Sequence, residues 1–171
     1  MTPETQTISA APRADRCCAR FDPAPWQGRE LRWKDRPFVV ERVRSVLHIP
    51  LNFATKVREA RILIDAANAA APNGLMLVDE RSAWHSDLYV PVTGPVPGAE
   101  MAWLSGTFIT KVFEGPYRDA PEWAAIMGAY IAGRGRTLSK LYYGYTTCPA
   151  CSRAYGENHV VMFAQVADAP C

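Results

Sequence analysis

A concealed duplication limits the folds open to this chain more than any single motif does. Displaced by 66 residues, "VLHIPL" at 46–51 falls on "VFEGPY" at 112–117, so that Val46 meets Val112, Pro50 meets Pro116 and Leu51 meets Tyr117. The same displacement carries Val57 onto Trp123, Ala60 onto Ile126, Ile64 onto Tyr130 and Leu75 onto Leu141. Apolar positions and turn prolines that recur at one fixed distance are what a repeated supersecondary unit leaves in a sequence.

Each copy reads as strand, helix, strand, strand. In the first, "FVVERVRSVL" alternates loosely as a strand, and "TKVREARILIDAANAA" sets Val57, Ala60, Ile64 and Ala67 at helical spacing before "APNG" stops the helix. "LMLVDE" and "DLYVPV" supply the return strands. In the second, "GTFITKVFE" is the strand, and Asp119 with Glu122 has the spacing of a capping box, with Pro121 tolerated in the first turn. Trp123, Ile126, Met127, Tyr130 and Ile131 make the apolar face of a helix closed by Gly133 and Gly135, and "KLYYGYTT" and "HVVMFAQV" return. The expected fold is α+β: two pseudo-repeated βαββ units, about 36–95 and 99–166, forming a curved antiparallel sheet with two helices on one face. With 49% apolar residues the chain has material for one domain over 16–171, preceded by a flexible Thr-, Ala- and Pro-rich arm at 1–15.

The stretch "GTFITKVFEGPYRDAPEWAAIMGAYIAGRG" is similar to the strand, Gly-Pro-Tyr turn and helix in the second half of GyrI-like small-molecule-binding domains, which are built from two such four-element units. The likeness covers about 36–166. The whole chain, with "CCARFDPAPW" near one end and "TTCPACSRAYG" near the other, also resembles bacterial proteins loosely labelled hydrolases. The resemblance implies a groove between the repeats, lined with aromatic rings and holding a carboxylate, that takes drug-like molecules; some relatives hydrolyse electrophilic xenobiotics. Where the second half has its Gly-Pro-Tyr turn, the first half has "HIPL".

The cysteines admit three readings. Cys17 and Cys18 in the N-terminal segment, with Cys148 and Cys151 in a Cys-Pro-Ala-Cys turn, match the four thiolates of a tetrahedral Zn²⁺ site. Adjacent thiols do not easily turn to one ion, so His48 or His159 is a substitute for one of them. A redox pair at Cys148 and Cys151 calls for a helix N-terminus after a strand, and "SRAYGENH" has little helical pattern. Plain structural thiols are the third reading. Cys148 and Cys151 lie in an extension of the last hairpin, where the second copy is longer than the first.

Glu114 and His48 fall on the same repeat position, at the ends of the two first strands, where a carboxylate and an imidazole activate water if both face one cleft. Trp84, Tyr89, Trp103, Phe113, Tyr143 and Tyr145 are candidate walls for a flat apolar ligand, with Glu114 as its polar anchor. Strand alternation sends Tyr143 and Tyr145 one way and Tyr142 the other. "DERSAWHSDLY" reads as a hairpin connection, with Glu80 and His85 as lesser candidates.

A net charge of +2 from 19 basic and 17 acidic residues, the basic ones scattered apart from a mild cluster at Arg42, Arg44, Lys56, Arg58 and Arg61, gives no nucleic-acid footprint. No apolar run suits a secretory signal or a membrane span, so a cytoplasmic protein without membrane partners is expected. Nucleophile elbows, phosphate loops and H-E-x-x-H are missing from the sequence. The leading expectation is a binder of small aromatic, xenobiotic-like molecules with a cysteine-based Zn site. The alternatives are a hydrolase that detoxifies a reactive small molecule through Glu114 or His48, and a metal or redox thiol protein.

Overall fold

The computed structural model describes residues 18–72 and 74–167, so the expected arm at 1–15 and Cys17 lie outside the described residues. Among these, the order is β1 (Glu30–Val46), β2 (Ile49–Pro50), α1 (Phe53–Ala66), β3 (Leu77–Glu80), β4 (His85–Pro91), β5 (Met101–Glu114), α2 (Ala120–Ala132), β6 (Thr137–Tyr145), α3 (Pro149–Tyr155) and β7 (His159–Ala167). The architecture is mixed α and β. Both halves of the chain run strand, helix, strand, strand, with the two-residue β2 and the helix α3 added. No helix among the described residues is long and apolar enough to cross a membrane. The chain gathers into two compact units, one of residues 32–107 with 142–144, the other of the described residues in 1–31, 108–141 and 145–171.

In the 32–107 unit the strands follow the order β2-β1-β4-β3-β6, and each of its strand pairs is antiparallel. β4 is buried from Ser86 through Pro91, the burial of a strand covered on both faces. Phe38, Val39, Val43, Leu77 and Leu88 form the core with Ala60 and Ile64, which α1 presents one turn apart. Ala67 caps α1 and Asn68 turns left-handed at φ 50°, so the helix ends before the expected "APNG" stop. Asn is one of the few residues that enters that region at small cost, which is why the stop falls there.

In the other unit β6, β7 and β5 lie side by side, and Val160 to Ala164 of β7 is buried without a break. α2 buries Trp123, Met127 and Ile131, a narrower stripe than expected, because Ile126 is exposed. Asp119 makes no capping bond: a 3-10 turn at Tyr117–Asp119 already gives its backbone helical angles, so the helix grows out of that turn instead of a capping box. The segment ahead of β1 is tied to β5. Trp26 packs edge-on against Phe163 at 5.7 Å, and the buried Thr110 hydroxyl donates to the Trp26 carbonyl at 2.6 Å.

A third helix corrects the reading of "SRAYGENH". Pro149 occupies the first turn of α3, the Cys148 sulfur accepts from Cys151 N–H, and Gly156 closes it at φ 71°. Proline at the start, a capping acceptor and a left-handed glycine at the end outweigh the weak periodicity of seven residues.

Candidate functional site: a thiol cluster and a carboxylate beside an imidazole

Strand β6 ends at Tyr145, and three residues later Cys148 stands extended at the head of α3. Its N–H donates to Cys18 Sγ at 3.4 Å, and the Cys151 N–H donates to Cys148 Sγ at 3.5 Å. The sulfurs of Cys18, Cys148 and Cys151 lie within 4.8 Å of one another, with Cys151 buried and the other two half-buried. Two contacts bring Cys18 there. The Tyr155 hydroxyl donates to the Cys18 carbonyl at 2.7 Å, and Arg20 Nε donates to Glu157 at 2.6 Å. The Arg20 hydrogen bond also draws the Glu157 carboxyl below its usual range.

Four thiolates at about 2.3 Å around Zn²⁺ stand about 3.8 Å apart, so three sulfurs this close need little adjustment to share an ion. The donor set is soft and fits a thiophilic metal. Of the four sequence candidates, Cys17 lies outside the described residues. The strand-to-helix setting is also the one in which Cys-x-x-Cys pairs act in redox chemistry, and its expected absence no longer counts against that use.

Glu114 ends β5 and His159 opens β7, the neighbouring strand. Glu114 Oε2 is 3.9 Å from His159 Nε2; the carboxylate side chain is 65% exposed and the imidazole 11%. Gly115 and Asn158 lock the two strand ends together, with Gly115 N–H donating to the Asn158 carbonyl at 3.1 Å and Asn158 Nδ2 donating to the Gly115 carbonyl at 2.7 Å. Gly115 has φ 144°, and a Cβ there would stand 3.3 Å from Trp123, so the tight turn after Glu114 requires glycine. Around this turn Tyr117 meets Tyr145 edge-on at 5.1 Å, and Phe113 stacks on Trp123 at 5.7 Å. Burial pushes the Tyr117 phenol above its ordinary range. The His159 imidazole also lies 5.6 Å from the Phe21 ring, whereas Phe113, next to Glu114 on β5, points to the opposite face and is buried there with Trp123.

The remaining candidates belong to the 32–107 unit. His48 sits in the two-residue turn between β1 and β2, not on a strand, and its Nδ1 is 3.4 Å from Glu80. Trp84 and Trp103 are exposed, whereas Tyr89 and Tyr143 are buried. Tyr89 packs edge-on against Phe38 and Tyr142. Tyr142 and Tyr143 are both buried, so alternation does not leave one of them facing solvent. Sequence reasoning passed over Tyr117 and Asn158 as site residues, and took His159 only as a substitute metal ligand. Tyr117 stood in "EGPY"; nothing local marks Asn158. It also missed a clamp in which the solvent-exposed Arg81 bridges two buried carboxylates, its Nε 3.1 Å from Asp79 and 2.9 Å from Asp87.

A family described as "Bacterial hydrolase" matches residues 8–166. Among solved structures, a hydrolase from Listeria innocua aligns with a TM-score of 0.58 at 11% identity, covering 82% of this chain and 92% of its own. An uncharacterized conserved protein from the same organism aligns with a TM-score of 0.59 at 9% identity, over the same shares. The C-terminal domain of EcmrR aligns at 0.57 and 10%, covering 84% of this chain and 99% of that one. At such identities these likenesses show a shared fold. No curated protein matches significantly.

Proposed function

Because this chain belongs to the bacterial hydrolase family, we propose that it binds a small, largely apolar aromatic electrophile and hydrolyses it, with Glu114 and His159 guiding water. The observation that carries this reading is the exposed Glu114 carboxylate 3.9 Å from the His159 imidazole, whose ring lies 5.6 Å from Phe21, with the Tyr117–Tyr145 pair just beyond the Gly115 turn. Glu114 takes a proton from water as the water oxygen bonds to the electrophilic carbon of an ester or strained ring. The proton then passes to the departing oxygen, and acid plus alcohol, or a diol, results. His159 holds the carboxylate and the water in line. General acid–base assistance of this kind contributes roughly 10²- to 10⁴-fold.

The rings of Phe21, Tyr117 and Tyr145 also support the rival reading, a binding protein of GyrI-like type that returns its ligand unchanged. Trp84 and Trp103 are further ligand candidates by their exposure, Tyr89 and Tyr143 by their place among the rings, and His48 beside Glu80 is a second water-guiding group. The recurring strand, helix, strand, strand order supports two βαββ copies. Zn²⁺ is the metal we assign to the thiol cluster, in a structural role, and the cytoplasm is the compartment in which such thiols stay reduced.

Turnover of aryl esters and aryl epoxides, followed beside thermal shifts, tests the reading. Consumption of a compound that also raises Tm, lost in Glu114→Gln and His159→Gln, is the expected result. A Tm shift without consumption identifies the binder.

A further inference from the structure

A second site lies in the 32–107 unit, away from the thiols and from Glu114 in sequence and element. It is an open groove of about 370 Å³ lined by Arg42, Arg44, Asn52, Lys56 and His85. Arg42 and Arg44 are two residues apart on β1 and so share a face of the strand. The β1–β4 register sets Arg44 directly opposite His85. Each lining side chain brings hydrogen-bond donors, and no carboxylate is among them.

Two of the cations are already balanced. Lys56 Nζ is 3.2 Å from Glu41 and 2.7 Å from Glu59, and Arg42 Nε is 3.6 Å from Asp87. Arg44 and His85 pair with no acid among the described residues. Asn52 Oδ1 accepts the Arg44 backbone N–H at 2.9 Å, which fixes the amide and leaves its NH₂ to donate. Arg44 and His85 face each other on the paired strands, so their N–H donors stand side by side.

We propose that this groove binds a phosphate-bearing ligand. Donors come from β1, β4 and the start of α1, and a tetrahedral oxyanion accepts from several directions at once where a carboxylate accepts in one plane. The Arg44 guanidinium supplies the two-pronged contact that suits phosphate. The proposal stands apart from the hydrolase reading, since it uses none of the residues assigned there.

The test is calorimetric titration of the whole protein with inorganic phosphate and with phenyl phosphate, in low salt and again near 0.2 M salt, plus sedimentation with vesicles of phosphatidylcholine alone or mixed with phosphatidylglycerol. Saturable binding of a soluble phosphate is expected, weakened by salt because the groove is open. It should fall at least 10-fold in Arg44→Gln, several-fold in His85→Gln and by an intermediate amount in Arg44→Lys, which keeps the charge and loses the fork. Binding to phosphatidylglycerol vesicles alone, with the same ranking of variants, places the phosphate in a lipid headgroup. Failure to bind either source overturns the proposal, as does binding that Arg44→Gln and His85→Gln leave unchanged.

Discussion

The backbone N–H of Cys148 donates to the sulfur of Cys18 at 3.4 Å, joining residues 130 apart in the chain. The Cys151 N–H repeats the contact on Cys148 Sγ. Amide groups aimed at sulfur favour negative charge there, which is the form a metal binds. These contacts set Cys18 beside the turn between β6 and β7, in addition to the buried Trp26 that packs on Phe163.

Protein purified without affinity metals should carry about one zinc per chain by elemental analysis. Thiolate-bound zinc contributes roughly 10 kcal/mol in small zinc modules and requires ionised sulfur, so a chelator or acidification should release it and lower Tm. Cys148→Ser and Cys18→Ser should each abolish stoichiometric zinc. Metal-free protein whose Tm ignores chelator would refute the assignment.

Glu114→Gln should reduce turnover by 10²-fold or more while changing stability by less than about 0.5 kcal/mol. The carboxylate is 65% exposed and stands 3.9 Å from His159, too far for a hydrogen bond, so little of the fold depends on it. Parallel loss of stability and activity, measured by urea denaturation and product release, would make Glu114 structural.

How much of this was legible varies with the range of the interaction. The helix faces of α1 and α2 follow local periodicity, and Ala60, Ile64, Trp123, Met127 and Ile131 are buried as their spacing predicts. α3 escaped notice because seven residues are too few to show a period, and its stability comes from end effects at Pro149, Cys148 and Gly156. The approach of Cys18 to Cys148 and Cys151 was inferable from residue type and from the lengthened hairpin. The partnership of Glu114 with His159 was not, because it depends on β5 and β7 being neighbours, and no local pattern encodes strand order.

Leu47 and His48 should be exchangeable for a more stable pair. They form a two-residue hairpin turn with φ 49° and 67°, angles that suit Asn-Gly and disfavour a side chain by roughly 1 kcal/mol or more each. Leu47 is also 68% exposed, so its replacement removes no core contact. The double variant Leu47→Asn, His48→Gly should gain about 1–2 kcal/mol in chemical denaturation. A loss of stability instead would mean that the 3.4 Å contact of His48 with Glu80 outweighs the backbone strain.

Alkaline pH should unfold the protein through its buried phenols. Tyr142 is 2% exposed and packs edge-on against Tyr89, and its pKa is pushed up to about 12, first by burial and then by the Asp79 charge, against a smaller opposing effect of Arg81. A raised folded pKa means that the native state keeps the proton longer than the unfolded chain does. Below about pH 10 both states are protonated and the stability contribution is whole; as pH rises towards 12 the unfolded chain ionises first and the contribution is lost, on the order of 2–3 kcal/mol for this group. Burial shifts Tyr143 in the same direction, which deepens the loss. Tyrosinate absorbance should therefore show, among the seven tyrosines, a late fraction that titrates together with unfolding, and Tyr142→Phe should remove part of it. The Tyr142→Phe variant should also lose less stability than the parent between pH 9 and pH 11, whatever its starting stability, because it has no proton to release. If Tyr142 titrates with the exposed phenols while the fold is intact, then water reaches its hydroxyl and the burial of β6 at Tyr142, Tyr143 and Gly144 is not maintained in solution.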